Sequence, residues 1–187
     1  HSPNLHPTLQ PAGIPAVDVR CNPGTADRIA IFYGTLFNAT TSVEAGVATI
    51  FCGPDSTPHF QRLRFVESVM IQDRRSTAAW TENSFADQWH LAMYIADFTG
   101  TYERFQAHPH VSHWDNPRIK DYADTLEKAL ARQQFRFNSI VDLESGEVLL
   151  ELEHEIRSTE HQGCPLGQTA DQARSSAMFL GTDTPVF

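Results

Sequence analysis

The sequence predicts an α+β fold of two paired β-α-β-β-β modules, residues 14–67 and 89–157, whose strands together form a cupped mixed sheet. Three observations carry this. Both halves open on a short strand-like run, Val17-Asp18-Val19-Arg20 and His90-Leu91-Ala92-Met93-Tyr94-Ile95. Each run is followed by an amphipathic helical segment. Each half then closes on strand-like runs ending in carboxylates, Arg64-Phe65-Val66-Glu67 and Leu149-Leu150-Glu151-Leu152-Glu153. An open half-sheet closing against its copy leaves a cup, and polar residues on its inner faces are the site candidates.

Residues 1–13 are Pro-rich and irregular, as expected of a surface tail. Residues 14–21 alternate with period two, Val17 and Val19 against Asp18 and Arg20. Asn22-Pro23-Gly24-Thr25 is a turn signal, with Thr25 or Asp27 placed to cap the helix that follows. That helix sets Ile29, Phe32, Tyr33 and Leu36 on one face. Ala45–Phe51 is the next strand, Gly53-Pro54-Asp55 its turn, and His59–Glu67 the strand after it. Residues 68–88, of mixed polarity, are the linker between the halves.

In the second half Asp97 and Thr99 are cap candidates for a helix with Tyr102 and Phe105 on its apolar stripe. His108–His113 begins a loop-to-strand segment. Tyr122–Gln133 is helical in composition, an insertion or a long connection. Phe135–Val141 and Val148–Leu152 are strands joined through Asp142-Leu143-Glu144-Ser145-Gly146, a hairpin turn by composition. Residues 158–187, rich in Gly, Thr, Ser and Pro, are expected to wrap the domain as a loose extension.

The chain has 187 residues, 41% hydrophobic and 20% charged, enough for one sizeable domain or two fused modules. A net charge of −9 is the wrong sign for a nucleic-acid partner. No apolar run is long enough to span a bilayer, so no membrane partner is expected. Cys21, Cys52 and Cys164 fit neither a disulfide framework nor a zinc ribbon; free thiols are expected, with a Cys21–Cys52 pairing left open. The chain opens on His1 rather than Met, as a processed or cut chain does, and Asn38-Ala39-Thr40 is a sequon that matters only in a secreted protein. Both a cytoplasmic and a secreted location therefore stay open. His1 and His6 have the donors for copper, but a simple tail is the plainer reading.

Strand alternation puts Asp18 with Arg20, and His90 with Ala92 and Tyr94. Glu151 and Glu153 point opposite to Leu150 and Leu152. His108, His110 and His113 fall within a short loop without an adjacent carboxylate, which suits a role at the cup's mouth better than a second metal. No phosphate loop, nucleophile elbow or His-Glu-x-x-His helix is present.

This arrangement resembles the vicinal oxygen chelate superfamily of glyoxalase I, extradiol dioxygenases and fosfomycin-resistance proteins. The resemblance covers roughly residues 14–157. It rests on Asp27-Arg28 and Phe32-Tyr33 in the first half and on His90-Leu91-Ala92-Met93-Tyr94-Ile95-Ala96-Asp97 in the second. In that family a divalent metal sits in the cup. The resemblance implies ligands at His90, Glu67, either Glu151 or Glu153, and Asp18, which stands where the first-half histidine belongs. One imidazole with carboxylates suits Mn, Fe, Ni or Zn. The missing first histidine removes the two-histidine, one-carboxylate set of the dioxygenases.

What survives is a metal-dependent lyase or isomerase of the glyoxalase type on a small oxygen-rich substrate, with Glu153, His110 or His113 moving the proton. The alternative is a non-catalytic small-molecule binding protein using the same cup. A third reading is a cone-shaped α+β barrel for lipids or polyketides, with His90 structural. The family pairs modules within one chain or between chains, which leaves a homodimer possible.

Overall fold

Strand β1 (Ala16–Cys21) forms because Val17, Val19 and Cys21 have an apolar side to cover while Asp18 and Arg20 stay exposed. The structure, a computed structural model, describes residues 14–53, 61–69, 90–114, 123–164 and 179–181. The expected tail, Pro54-Asp55, the first two residues of the expected His59–Glu67 strand, most of the linker and most of the C-terminal extension lie outside the described residues.

After β1, helix α1 (Ala26–Phe37) buries Ile29, Phe32, Tyr33 and Leu36, the stripe its spacing predicts. It stops at Asn38, whose left-handed backbone (φ 53°) ends the helical hydrogen-bond ladder. Three strands follow: β2 (Thr41–Glu44), β3 (Val47–Phe51) and β4 (Arg62–Glu67). They assemble in the order β1-β4-β3-β2, with β1 parallel to β4 and the others antiparallel. The first module is therefore β-α-β-β-β, as expected. One boundary differs: Ala45-Gly46 is a two-residue hairpin turn with both residues at positive φ, not the start of a strand.

The second half begins with β5 (Leu91–Ile95) and α2 (Phe98–Ala107), the latter capped by the Asp97 carboxylate accepting from the Gly100 N–H. Helix α3 (Leu126–Arg132) is followed by β6 (Gln134–Val141) and β7 (Val148–Ser158). The His108–Trp114 segment forms no strand; it passes β6 with one ladder-like bond, Trp114 N–H to the Arg136 carbonyl at 2.9 Å. The fourth strand comes instead from the C-terminal extension: β8 (Phe179–Gly181) pairs antiparallel with β5. The order is β6-β7-β5-β8, with β5 parallel to β7. The fold class is thus α+β, with two four-stranded mixed sheets.

The core lies between these sheets and is aromatic. From α1, Phe32 meets Phe137 of β6 and Phe105 of α2, and Tyr33 meets Phe65 of β4. Helix α1 thereby covers the apolar faces of both sheets, each buried ring contributing about 1.5–3 kcal/mol. The polar tie Arg28–Glu147, 2.6 Å, fastens the same helix to the turn between β6 and β7. Cys21 and Cys52 are free thiols at opposite ends of β4, Cys21 beside Glu67 and Cys52 beside Gln61.

Candidate functional site

The register of β5, β7 and β6 sets His90, Ala92 and Tyr94 beside Glu153, Glu155 and Arg157, and these beside Arg136. All lie on the face of the second sheet opposite the helices. Glu155 is the hub, with only 1% of its side chain exposed. His90 Nε2 approaches its Oε2 at 3.0 Å. The Arg136 guanidinium binds the same oxygen and Arg157 Nε binds Oε1. Arg136 also holds Glu153 at 2.6 Å, and Arg157 donates to the Tyr94 hydroxyl at 2.7 Å. That hydroxyl donates in turn to the Gly163 carbonyl at 2.7 Å.

Two carboxylates and two guanidiniums so nearly buried must neutralise one another, because a lone charge there would lose several kcal/mol of hydration. Burial pushes the Glu155 carboxyl up, but the His90 contact and the Arg136 and Arg157 charges outweigh it and bring it down to about 2. Arg157 is held above its usual range: the Tyr94 hydroxyl and Glu155 outweigh a burial effect in the other direction.

The residues expected to share a metal fall in separate places. His90 and Glu153 lie on this face, on neighbouring strands. Glu151 is on the same strand but exposed, opposite Ser139. Asp18 is on the other sheet, paired with Arg64 at 3.4 Å. Glu67 points away from Asp18: the register sets Asp18 against Arg64 and Glu67 against Cys21, an odd number of residues apart. Glu67 caps α1, accepting the Ala26 N–H at 2.9 Å. The Ala26 N–H, then those of Gly24 and Thr25, draw its carboxyl below the usual range. Of the two cap candidates, Thr25 sits at the cap position but turns its hydroxyl back to the Asn22 carbonyl, and Asp27 lies within the first turn.

The loop histidines are also apart from the hub. His113 stacks on Tyr102 at 4.3 Å and edges against Phe135, on the helix side of the sheet. His110 is exposed and packs on Gly146, where an added Cβ would come within 2.9 Å of its Nδ1. His154, on the helix side, is a functional-looking residue of a different kind: its ring stacks on Phe137 and bonds Tyr33 inside the core.

A divalent metal does not fit these donors as they stand. Both Glu155 oxygens are held by guanidiniums, Glu153 is held by Arg136, and His90 is aimed at Glu155. Among the described residues no three His, Cys, Asp or Glu side chains converge on one point. Arg157 holds Glu155 from two residues along the same strand, and the sequence reading did not single out Arg136, which reaches it from β6. The signal for it was present: Arg136 is the one basic residue within the Phe135–Val141 strand.

No known family profile and no curated protein matches the chain. Among solved structures it is similar to a lactoylglutathione lyase from Agrobacterium tumefaciens (15% identity, 82% of this chain and 98% of that one, TM-score 0.41). It is also similar to a possible glyoxalase from Bacillus cereus (12%, 78% and 98%, TM-score 0.42). A third is a glyoxalase/bleomycin resistance protein/dioxygenase from Nocardioides (17%, 83% and 88%, TM-score 0.41). All three are glyoxalase-type proteins, while the fold class of this chain rests on its own strand order and register.

Proposed function

We propose that the chain is a small-molecule binding protein of the vicinal oxygen chelate type, using the His90–Tyr94–Glu155 face of the second sheet as its ligand platform. The observation that carries this is the state of Glu155, buried and shared between two guanidiniums and an imidazole. Positive charge from Arg136 and Arg157 does there what a metal ion would do for the carboxylates. The platform's more accessible group is His90, with 24% of its side chain exposed, linked through Glu155 to Arg157. A small polar ligand meeting it finds an imidazole held in place by the Glu155 ion pairs.

The metal-dependent lyase or isomerase reading keeps one support: His90 lies beside the carboxylates of β7, the adjacency the resemblance implies. Metal would then have to displace Arg136 or Arg157 from Glu155. Metal analysis of protein purified without chelator separates the two readings. Under the proposal it finds less than about a tenth of an equivalent of any transition ion, and Mn, Ni or Zn leaves the melting temperature unchanged. Near-stoichiometric metal that disappears in His90→Ala would establish the metal-dependent reading instead.

A further inference from the structure

The first sheet has a polar face of its own, turned away from α1. Its register gives three rows across β1, β4 and β3: Ala16–Arg62–Phe51, Asp18–Arg64–Thr49 and Arg20–Val66–Val47. Arg62 and Arg64 are thus two residues apart on one strand, about 7 Å, and Arg20 is diagonal to Arg64 on the neighbouring strand, about 8 Å. Three guanidiniums gather on one side of a sheet in a chain whose net charge is −9.

Their neutralisation is incomplete. Asp18 meets Arg64 at 3.4 Å, with both side chains substantially exposed, an ion pair of little strength. Glu44, the other carboxylate on this face among the described residues, is at the far edge on β2, three strands from Arg20 and about 14 Å away. Among the described residues Arg62 has no carboxylate partner. Its guanidinium lies 5.8 Å over the Phe51 ring, and its Nε is shut off from solvent with no hydrogen-bond acceptor. A buried donor left in that state costs about 1–3 kcal/mol, and such groups in native proteins usually have an explanation. This contrasts with the second sheet, where two guanidiniums meet two carboxylates.

We propose that the Arg20–Arg62–Arg64 face of the first sheet binds a small-molecule oxyanion, a carboxylate or a phosphate. An oxyanion between Arg62 and Arg64 meets the guanidinium N–H groups other than the enclosed Arg62 Nε and supplies the charge that Asp18 alone does not provide. The guanidinium fork matches both anions by paired N–H donors, and Arg62 lies over the Phe51 ring. Thr49, in the same row as Arg64, adds a hydroxyl. This site is on a different sheet from the His90 platform and stands or falls separately from it.

The test is calorimetric titration of the full chain at low salt with inorganic phosphate and, separately, with citrate. Saturable binding of either is expected; phosphate alone, citrate alone or both tells which oxyanion is preferred. Arg62→Gln and Arg64→Gln are each expected to weaken it about 10-fold or more, and raising the salt from 50 to 200 mM weakens it further. Arg62→Lys, which keeps the charge and loses the fork, is expected to be weaker than wild type. Circular dichroism checks the fold of each variant; should Arg62→Gln not fold, Arg64→Gln and Arg62→Lys carry the test. Absence of saturable binding to both anions overturns the proposal. So does binding that persists in the arginine variants and is lost in His90→Ala.

Discussion

The Tyr33 hydroxyl and His154 Nε2 lie 2.5 Å apart, both side chains wholly buried, and this bond ties the first module's helix to the second module's sheet. The other ring nitrogen, Nδ1, is 2.7 Å from the Leu152 carbonyl. A carbonyl can only accept, so Nδ1 carries the proton, Nε2 accepts, and Tyr33 donates. Stacking on Phe137, with centroids 4.1 Å apart, fixes the ring's plane. The imidazole is neutral and fully used, a role in packing the two halves together.

Tyr33→Phe removes the donor and leaves Nε2 buried without a partner. The expected cost is about 1–3 kcal/mol. For a chain of this size that lowers the melting temperature by about 2–4 °C per kcal/mol. Adding His154→Leu removes the stranded acceptor, so the double variant is expected to be less destabilised than the sum of the two single ones. A double-mutant cycle by urea denaturation reads the coupling directly; strict additivity would show that the bond contributes nothing.

The same histidine sets an acid limit. Burial takes His154 down to about 3 from its ordinary 6.5. Between these values the unfolded chain binds a proton that the native chain does not. Stability therefore falls as pH drops from about 6.5 towards 3, by up to about 1.4 kcal/mol per pH unit. Glu155, at about 2 against 4.5, adds a second loss that begins lower, as pH falls from about 4.5. Denaturation series at pH 7, 6 and 5 should thus slope in the wild type and flatten in His154→Leu. An unchanged slope in that variant would assign the acid sensitivity elsewhere.

The expected elements were legible where local chemistry decides them: the Ile29–Leu36 stripe of α1, the Asp97 cap and the alternation of β1. What was hidden depends on partners distant in sequence. Ala45 reads as a strand residue, yet the β2–β3 pairing forces it to φ 49°, where Asn or Gly would have announced a turn. Glu67 reads as a strand-end carboxylate, and only the parallel register with β1 turns it to the helix side. Which arginine meets Glu155 depends on the β6–β7 register, which shifts between Phe137 and Ser139. Alternation assigns faces within one strand; it does not say what lies across the sheet.

Glu67 provides a test of that distinction. As the cap of α1 it accepts the first-turn N–H groups that Thr25 leaves open. Glu67→Ala should then lose about 0.5–2 kcal/mol, and Glu67→Gln, which keeps an acceptor but not the charge at the helix's positive end, rather less. Urea denaturation measures both. Equal losses would mean that the charge carries the whole effect, and a Gln variant as stable as wild type would mean that the charge is irrelevant.

Arg136 is where the second sheet is most exposed to failure. It joins Glu153 to Glu155 with 5% of its side chain accessible. Arg136→Ala leaves two carboxylates facing each other in a nearly dry setting, and breaking a buried pair in this way costs about 3–5 kcal/mol. Protonating the carboxylates relieves the repulsion, so the penalty should shrink as pH falls through the range in which Glu155, freed from Arg136, takes up its proton. That range is higher than in the wild type because a lowering influence has been removed. The variant's deficit against wild type, measured by denaturation at pH 7 and pH 5, is therefore expected to be smaller at pH 5. A deficit unchanged between pH 7 and pH 5 would show that the arginine acts through packing and not through its charge.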